Sequence, residues 1–276
     1  MREPARHTVA GPAGDLVVWD YQGGAPAALL LHGIGNYGRV WDFVAEAVAG
    51  RLRLVAPDAR GHGGSAMPAT GYAPSDFVAD ATAVLDGLGL EHVLVVGHSM
   101  GGGHGLAFVQ AHPERSLGFV LIDIGPDLEP AGRERSVRLT HDRPASFPDD
   151  AAAEAYLRET SPGYSDAVYA HRVRWLFARG PLGLTWRADA GALRQIFGVT
   201  GGRGSNTWAA LATLRLPVLV VRGTRSIYLS AATAQRMVET IPNARLLELA
   251  AGHNVQLDQP TALAEAIVAF AREVAQ

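Results

Sequence analysis

Residues 94–103 read LVVGHSMGGG and decide the fold. An apolar run typical of a strand ends here in a serine flanked by glycines, and a helix-compatible segment follows. A sharp turn from strand to helix crowds the backbone at its tip, and the glycines at 97 and 101 relieve that crowding. The pattern G-x-S-x-G in this context predicts a nucleophile elbow, which exposes the hydroxyl of Ser99 above a sheet. The alternative is a serine that only caps a helix in a glycine-rich turn.

Short apolar runs alternate with helix-compatible segments along most of the chain. The strand-like runs are DLVVWDY, AALLLHG, LRLVAPD, HVLVVG, LGFVLIDIG, LPVLVVRG and ARLLELA. Continuous apolar strands that alternate with helices are typical of a mainly parallel sheet covered by helices on both faces. We therefore predict an α/β fold of this type.

The alternation breaks in one long segment, which is polar, helical in places and interrupted by prolines and glycines. We predict a core domain formed by residues 1–125 and 213–276, and a helical cap formed by residues 126–212. The cap is rich in aromatic side chains, some of which we expect to form the roof of a pocket and to exclude water from it. These are Tyr156, Tyr164, Tyr169, Trp175, Phe177, Trp186, Phe197 and Trp208.

A basic cluster also lies in this segment, formed by His171, Arg172 and Arg174. We interpret it as a solvated helix face, because charged residues on helices usually face water. The alternative is that the cluster binds a carboxylate.

Two further stretches point to the site of Ser99. A strand ends in His32-Gly33, and we expect the backbone N–H of Ile34 in the next loop to face the same site as that of Met100. Two such donors would form an oxyanion hole. The alternative is an ordinary loop between a strand and a helix. Of the ten histidines, His253 alone follows the last strand, where it completes the chain order Ser…acid…His.

Together these stretches resemble the α/β-hydrolase superfamily over nearly the whole chain. The motifs stand in family order: HGIG at 32–35, DARGHGGS at 58–65, GHSMGG at 97–102 and AGHN at 251–254. The sequence is most similar to the serine esterase, C–C hydrolase and haloperoxidase-like branch, in which a helical cap follows the sixth strand. The resemblance implies Ser99 as nucleophile, His253 as base, and Ile34 and Met100 as oxyanion donors. We interpret DARGHGGS as structural, with its aspartate and arginine tying loops together.

The triad acid is the one departure from the family pattern, which usually places it after the seventh strand as G-x-x-S-D. Residues 223–227 read GTRSI instead, with Ile227 at the aspartate position, and no Asp or Glu occurs in residues 217–238. A histidine base needs a partner on Nδ1 that fixes its tautomer and stabilises the imidazolium. The best substitute is Asp123, at the end of the sixth strand, where some members of the fold carry their acid. Asp127 or another acid of the cap is the second choice, and the remaining alternatives are a dyad without an acid and a protein that has lost catalysis.

The amino-acid composition limits the kinds of partner and of chemical site that this protein is expected to have. The 276 residues carry 24 Lys+Arg against 27 Asp+Glu, a net charge of −3 that does not favour a nucleic-acid or membrane-surface partner. The absence of cysteine excludes disulfides, thiolate metal sites and cysteine nucleophiles. The N-terminus lacks the apolar region of a signal peptide, and no apolar run has the length of a membrane span. We expect a cytoplasmic monomer or homodimer without a metal or an organic cofactor.

These features predict a serine hydrolase of carboxylesterase type, which cleaves a carboxylic ester or lactone through an acyl-enzyme. The aromatic cap favours a small, apolar or aromatic, ester-like substrate. One alternative is a hydrolase of C–C bonds in β-diketone ring-fission products, which would use the same residues. The other is a ligand-binding member of the fold without catalysis, which the missing loop acid favours.

Overall fold

The computed structural model describes residues 3–181, 183–200 and 205–275. The strands, in chain order, are β1 (Ala5–Gly11), β2 (Gly14–Tyr21), β3 (Ala27–Leu31), β4 (Arg53–Pro57), β5 (Val93–His98), β6 (Ser116–Ile122), β7 (Ser146–Phe147), β8 (Phe177–Gly180), β9 (Gly183–Trp186), β10 (Val218–Gly223) and β11 (Ala244–Leu249). The α-helices are α1 (Asp42–Val48), α2 (Pro74–Gly87), α3 (Met100–Ala111), α4 (Pro130–His141), α5 (Asp150–Thr160), α6 (Asp166–Leu176), α7 (Ala190–Thr200), α8 (Trp208–Ala212), α9 (Ala231–Thr240), α10 (Val255–Asp258) and α11 (Pro260–Val274).

Eight of these strands form one sheet in the order β1-β2-β4-β3-β5-β6-β10-β11. The pairs from β4 to β11 are parallel, whereas β1 with β2 and β2 with β4 are antiparallel. The predicted α/β-hydrolase fold with a mostly parallel sheet is therefore confirmed. The sequence analysis did not identify β1, because this edge strand alternates only between exposed and half-buried residues and has no continuous apolar run.

Side chains on β5 alternate between the two faces of the sheet and enter two separate cores. Val93 and Val95 pack with residues of α2, α3 and α9 on one face. Leu94 and Val96 pack on the other face, where α1 and α11 lie. Burial on both faces explains why residues 93–96 of the strand are all apolar. None of the helices in the described ranges is both long enough and apolar enough to cross a membrane.

The chain inserts α4 to α8 and a small antiparallel sheet, ordered β7-β9-β8, between β6 and β10. The sequence analysis predicted helices here but no strands. These strands are only two to four residues long, which is too short for an alternating pattern to be recognised. The division into a core of residues 1–125 and 213–276 and a cap of residues 126–212 stays a prediction, and residues 182 and 201–204 of that cap lie outside the described residues.

The turn between β5 and α3 carries Ser99. This residue has φ +52° and ψ −118°, a backbone conformation that residues with a side chain rarely adopt. A Cβ atom at Gly101 would lie 2.2 Å from the carbonyl oxygen of Leu31, and one at Gly97 would lie 2.4 Å from the carbonyl oxygen of Gly101. The predicted role of both glycines in relieving backbone crowding is therefore confirmed.

Replacing Gly101 tests this close packing. We expect Gly101→Ala to lower the free energy of unfolding by about 1–3 kcal/mol, because the methyl group would be forced against backbone atoms that cannot swing away. Urea unfolding measures the change.

The matched control is Gly198→Ala in α7, where a Cβ atom would meet nothing within 4 Å. Helix propensity then predicts no loss and a gain of up to about 1 kcal/mol. Equal free energies of unfolding for the two variants would contradict the close approach of α3 to β3.

Candidate active site

The carboxyl ends of the parallel strands bring three side chains together at one edge of the sheet. Ser99 follows β5, Asp123 follows β6 and His253 follows β11. The Nε2 atom of His253 lies 3.0 Å from the Oγ atom of Ser99, and its Nδ1 atom lies 2.7 Å from the Oδ2 atom of Asp123. The three residues predicted as a triad are thus joined in the order nucleophile, base and acid.

Asp123 is completely buried and has φ +51°, a conformation that aspartate adopts more readily than most residues. Its Oδ1 atom accepts a hydrogen bond of 2.9 Å from the N–H of Gly223, and its Oδ2 atom accepts one from the hydroxyl of Ser226. Both donors belong to the GTRSI loop after β10. The loop in which the family usually carries the acid therefore supplies donors to a carboxylate on the neighbouring strand.

The other positions considered for the acid lie elsewhere. The Oδ2 atom of Asp127 accepts a hydrogen bond of 3.1 Å from Nε1 of Trp208, and its side chain is exposed. Ile227 is 42% exposed and lines the cavity above Ser99. The structure thus pairs His253 with Asp123 and not with Asp127.

Two residues that the sequence analysis missed hold the imidazole of His253. The ring of Tyr228 stacks on it, with 3.7 Å between the centroids and 19° between the planes. The Nε2 atom of His98 donates a hydrogen bond of 2.8 Å to the carbonyl oxygen of His253. His98 occupies a variable position of G-x-S-x-G, and Tyr228 comes from a loop distant in sequence, so no local pattern identifies either contact.

The two predicted oxyanion donors are Met100, which directly follows Ser99, and Ile34. Met100 is the first residue of α3, so its N–H has no carbonyl partner within the helix. Ile34 lines the same cavity as Ser99. The next residue, Gly35, donates its own N–H to Nε2 of His62 at 3.0 Å, which holds the loop in place. The oxyanion hole itself stays a prediction.

The residues of this site open into a cavity of about 570 Å³ between the core loops and the inserted segment. Three of the aromatic residues predicted for its roof, Tyr156, Tyr164 and Trp186, line it. Its charged lining residues are mostly cationic: Arg135, Arg143, Arg172, Arg225 and Asp258.

The three residues of the basic cluster lie in different environments. Arg174 is exposed, as a solvated helix face requires, whereas Arg172 is only 8% exposed and faces the cavity. The Nε2 atom of His171 lies 2.8 Å from Oδ2 of the buried Asp42. The prediction of a solvated face is therefore wrong for Arg172, because its side of α6 faces the cavity instead of the outer surface.

The DARGHGGS motif is structural, as predicted. The Oδ1 atom of Asp58 accepts hydrogen bonds of 2.7 Å from the N–H of Gly38 and of 3.2 Å from Nε1 of Trp19. The guanidinium of Arg60 forms a two-pronged pair with Asp80, with both N–O distances at 2.6 Å. These contacts fix the loops behind the site.

A family model described as α/β hydrolase fold matches residues 26–260. The chain belongs to this family. One relative of this α/β hydrolase is 2-(acetamidomethylene)succinate hydrolase of Mesorhizobium japonicum, 29% identical over 90% of this chain and 89% of the relative. Another is 3-hydroxybutyrate-oligomer hydrolase of Cupriavidus necator, 32% identical over 82% of this chain and 83% of the relative.

Solved structures agree with this assignment. The crystal structure of E-2-(acetamidomethylene)succinate hydrolase matches this α/β hydrolase with a TM-score of 0.86 and 27% identity, over 97% of this chain and 98% of that one. A thioesterase domain from the curacin biosynthetic pathway matches with a TM-score of 0.82 and 26% identity, over 97% and 100% of the two chains. These names point to different substrates within one hydrolase fold.

Buried histidines surround the site of this α/β hydrolase. Burial lowers the pKa of His32, and lowers the pKa values of His62 and His98 well below the usual value. Burial likewise lowers the pKa of His104, which stacks on Phe77, to about 3. These four residues are therefore neutral at pH 7, where they serve as hydrogen-bonding or packing groups.

Burial of His104 makes stability depend on pH. Its pKa is about 3 in the folded chain against 6.5 for the free side chain, so the unfolded chain takes up the proton first as the pH falls. This residue should lower the free energy of unfolding by about 1.4 kcal/mol per pH unit between roughly pH 6 and 4.5. We expect His104→Gln to flatten the dependence by that amount, measured by urea unfolding at several pH values.

The control is His92→Gln at an exposed position, which should leave the slope as it is. An unchanged slope in His104→Gln would contradict a neutral, buried His104.

Proposed function

We propose that this chain is a serine hydrolase that cleaves a carboxylic ester or lactone through an acyl-enzyme. The observation that carries the proposal is the hydrogen-bonded series Ser99–His253–Asp123, with distances of 3.0 and 2.7 Å, beside a cavity of about 570 Å³. Membership of the α/β-hydrolase family and whole-chain similarity to several hydrolases support it.

The geometry supports the following sequence of steps. Nε2 of His253 takes the proton of Ser99 as its Oγ attacks the carbonyl carbon, and Asp123 stabilises the imidazolium through Nδ1–H. The oxyanion lies between the N–H groups of Ile34 and Met100. His253 then protonates the leaving alcohol as the acyl–oxygen bond breaks. Water, deprotonated by the same histidine, attacks the acyl group, which releases the acid and restores Ser99.

Other reactions remain as candidates for the same residues. Similarity to 2-(acetamidomethylene)succinate hydrolase, whose substrate name carries an acetamido group, favours an acyl group on nitrogen as a second candidate. His253 would then protonate a leaving nitrogen. C–C hydrolysis stays a prediction. The non-catalytic alternative rested on the missing loop acid, and the contact of Asp123 with His253 weakens that reason.

Turnover of p-nitrophenyl butyrate tests the proposal. We expect Ser99→Ala to abolish both turnover and labelling by a fluorophosphonate probe. Asp123→Asn should lower kcat by about 10⁴, because the wrong tautomer of the base is then favoured.

Two matched variants separate the candidate acids. Asp127→Asn should retain wild-type kcat because Asp127 bonds to Trp208 instead, and Ile227→Asp should not raise kcat. A large gain in Ile227→Asp with no loss in Asp123→Asn would show that Asp123 is not the acid. A wild-type chain that neither reacts with the probe nor hydrolyses any ester or acetamide would overturn the proposal.

A further inference from the structure

One arginine in the cavity lacks acceptors for its donors. Arg172 is only 8% exposed, and its Nε and Nη1 atoms have no hydrogen-bond partner among the residues that the structure describes. Its charge therefore has neither full hydration nor a paired carboxylate. A buried cation without a partner is energetically unfavourable. We therefore expect an anion from outside the chain to bind at this position.

The surroundings of Arg172 do not neutralise it. The other cationic side chains of the cavity each donate to a neutral acceptor: Arg135 to the carbonyl of Thr160 and the hydroxyl of Ser161, Arg143 to the carbonyl of Ala188, and Arg225 to the carbonyl of Ala250. Of the described residues that line the cavity, Asp258 alone carries a carboxylate, and its Oδ2 atom accepts the N–H of Gly252. The cavity therefore has an excess of positive charge.

Arg172 is also linked to the base. Its Cζ atom lies 5.6 Å from the centre of the Tyr164 ring, and the hydroxyl of Tyr164 accepts a hydrogen bond of 3.3 Å from Nδ2 of Asn254. Asn254 directly follows His253. On α6, Tyr169 and Val173 are buried in the core and hold the helix in position. Arg172 thus extends from a packed helix into the cavity that contains Ser99.

We infer that Arg172 binds a carboxylate of the substrate, so that the substrates are monoesters, or the corresponding amides, of dicarboxylic acids. This inference rests on the proposed function and names its substrate class. The Nε and Nη1 atoms lie on different edges of the planar guanidinium, and each is a charge-assisted donor to which a carboxylate oxygen can bind. Apolar side chains also line the cavity, where they would contact the predicted apolar part of the substrate between its ester and its carboxylate. These are Leu139, Leu157, Leu176 and Trp186.

Paired esters test the inference. Methanol release is measured from the monomethyl and the dimethyl esters of succinate, glutarate and adipate, so that three chain lengths between the ester and the carboxylate are compared. We expect the wild type to prefer the monomethyl ester at one or more lengths. Arg172→Gln should lower kcat/KM for that ester by roughly 10- to 100-fold, mainly through KM, and change it by less than about threefold for the dimethyl ester.

The matched control is Arg174→Gln, which removes an exposed arginine from the same helix and should leave both esters unaffected. Arg172→Lys keeps the charge but not the planar array of donors, and it should restore part of the loss. The melting temperature of the free Arg172→Gln variant should not fall, because the substitution removes an unpaired buried charge. If Arg172→Gln does not fold, Arg172→Lys takes its place in both the turnover and the binding measurements, where it should weaken the response to the carboxylate rather than abolish it.

Binding is measured separately from turnover. Calorimetry with the Ser99→Ala variant should detect succinate, glutarate or adipate, and Arg172→Gln in that background should abolish the signal. No binding of any dicarboxylate, or binding that persists without Arg172, overturns the inference. Binding of inorganic phosphate but of no dicarboxylate overturns it in favour of a phosphate ligand.

The outcomes for the two proposals are distinguishable. Hydrolysis of dimethyl esters without a preference for monoesters overturns the carboxylate site and leaves the hydrolase proposal standing. Arg172-dependent binding of a dicarboxylate without turnover of any ester supports the carboxylate site and counts against ester hydrolysis.

Discussion

Backbone atoms of α3 and β3 approach each other so closely at Gly101 that one methyl group would collide with the carbonyl of Leu31. This approach forces the chain to turn within one residue, and Ser99 takes the strained conformation at the tip. The strain persists because the sheet and α3 hold both sides of the turn. As a result the hydroxyl of Ser99 does not cap α3 by a hydrogen bond, and its Oγ atom lies 3.0 Å from Nε2 of His253.

The position of the acid follows from the order of the strands. β6 lies between β5 and β10 in the sheet, so a side chain at its end can contact residues that follow either neighbour. Asp123 uses this position to meet His253, while the loop after β10 donates the N–H of Gly223 and the hydroxyl of Ser226. Nδ1 of the histidine requires a carboxylate oxygen in the right place, and the end of either strand can supply one. The departure at Ile227 is thus compatible with a complete Ser–His–Asp arrangement.

Most of the positive charge in the cavity comes from the inserted segment, with Arg225 as the exception after β10. The loops after the strands supply Ser99 and His253, whereas α4 and α6 supply Arg135 and Arg172. Under the two proposals, the insertion would select the ligand and the loops of the sheet would hold the reacting groups.

Local patterns in the sequence determined much of the fold and part of the site. Apolar runs, helical spacing and the glycines around Ser99 depend on backbone preferences that act over a few residues, so the parallel sheet and the elbow could be predicted directly. His253 could be proposed from its place after the last strand. Edge strand β1 and the short strands β7 to β9 could not be predicted from the sequence, because their stability comes from pairing with neighbouring strands rather than from a local apolar pattern.

The tertiary structure alone decided the contacts between distant segments. The sequence favours Asp123 over Asp127 without excluding either, whereas in the structure Asp123 contacts His253 and Asp127 contacts Trp208. Arg172 and Arg174 belong to one cluster in the sequence, yet only Arg172 is buried. In each pair, one side chain is buried because another part of the chain packs over it, and the other side chain stays exposed. Burial and hydrogen bonding between segments that are distant in sequence arise only once the sheet has brought those segments together. No local sequence pattern can therefore predict them.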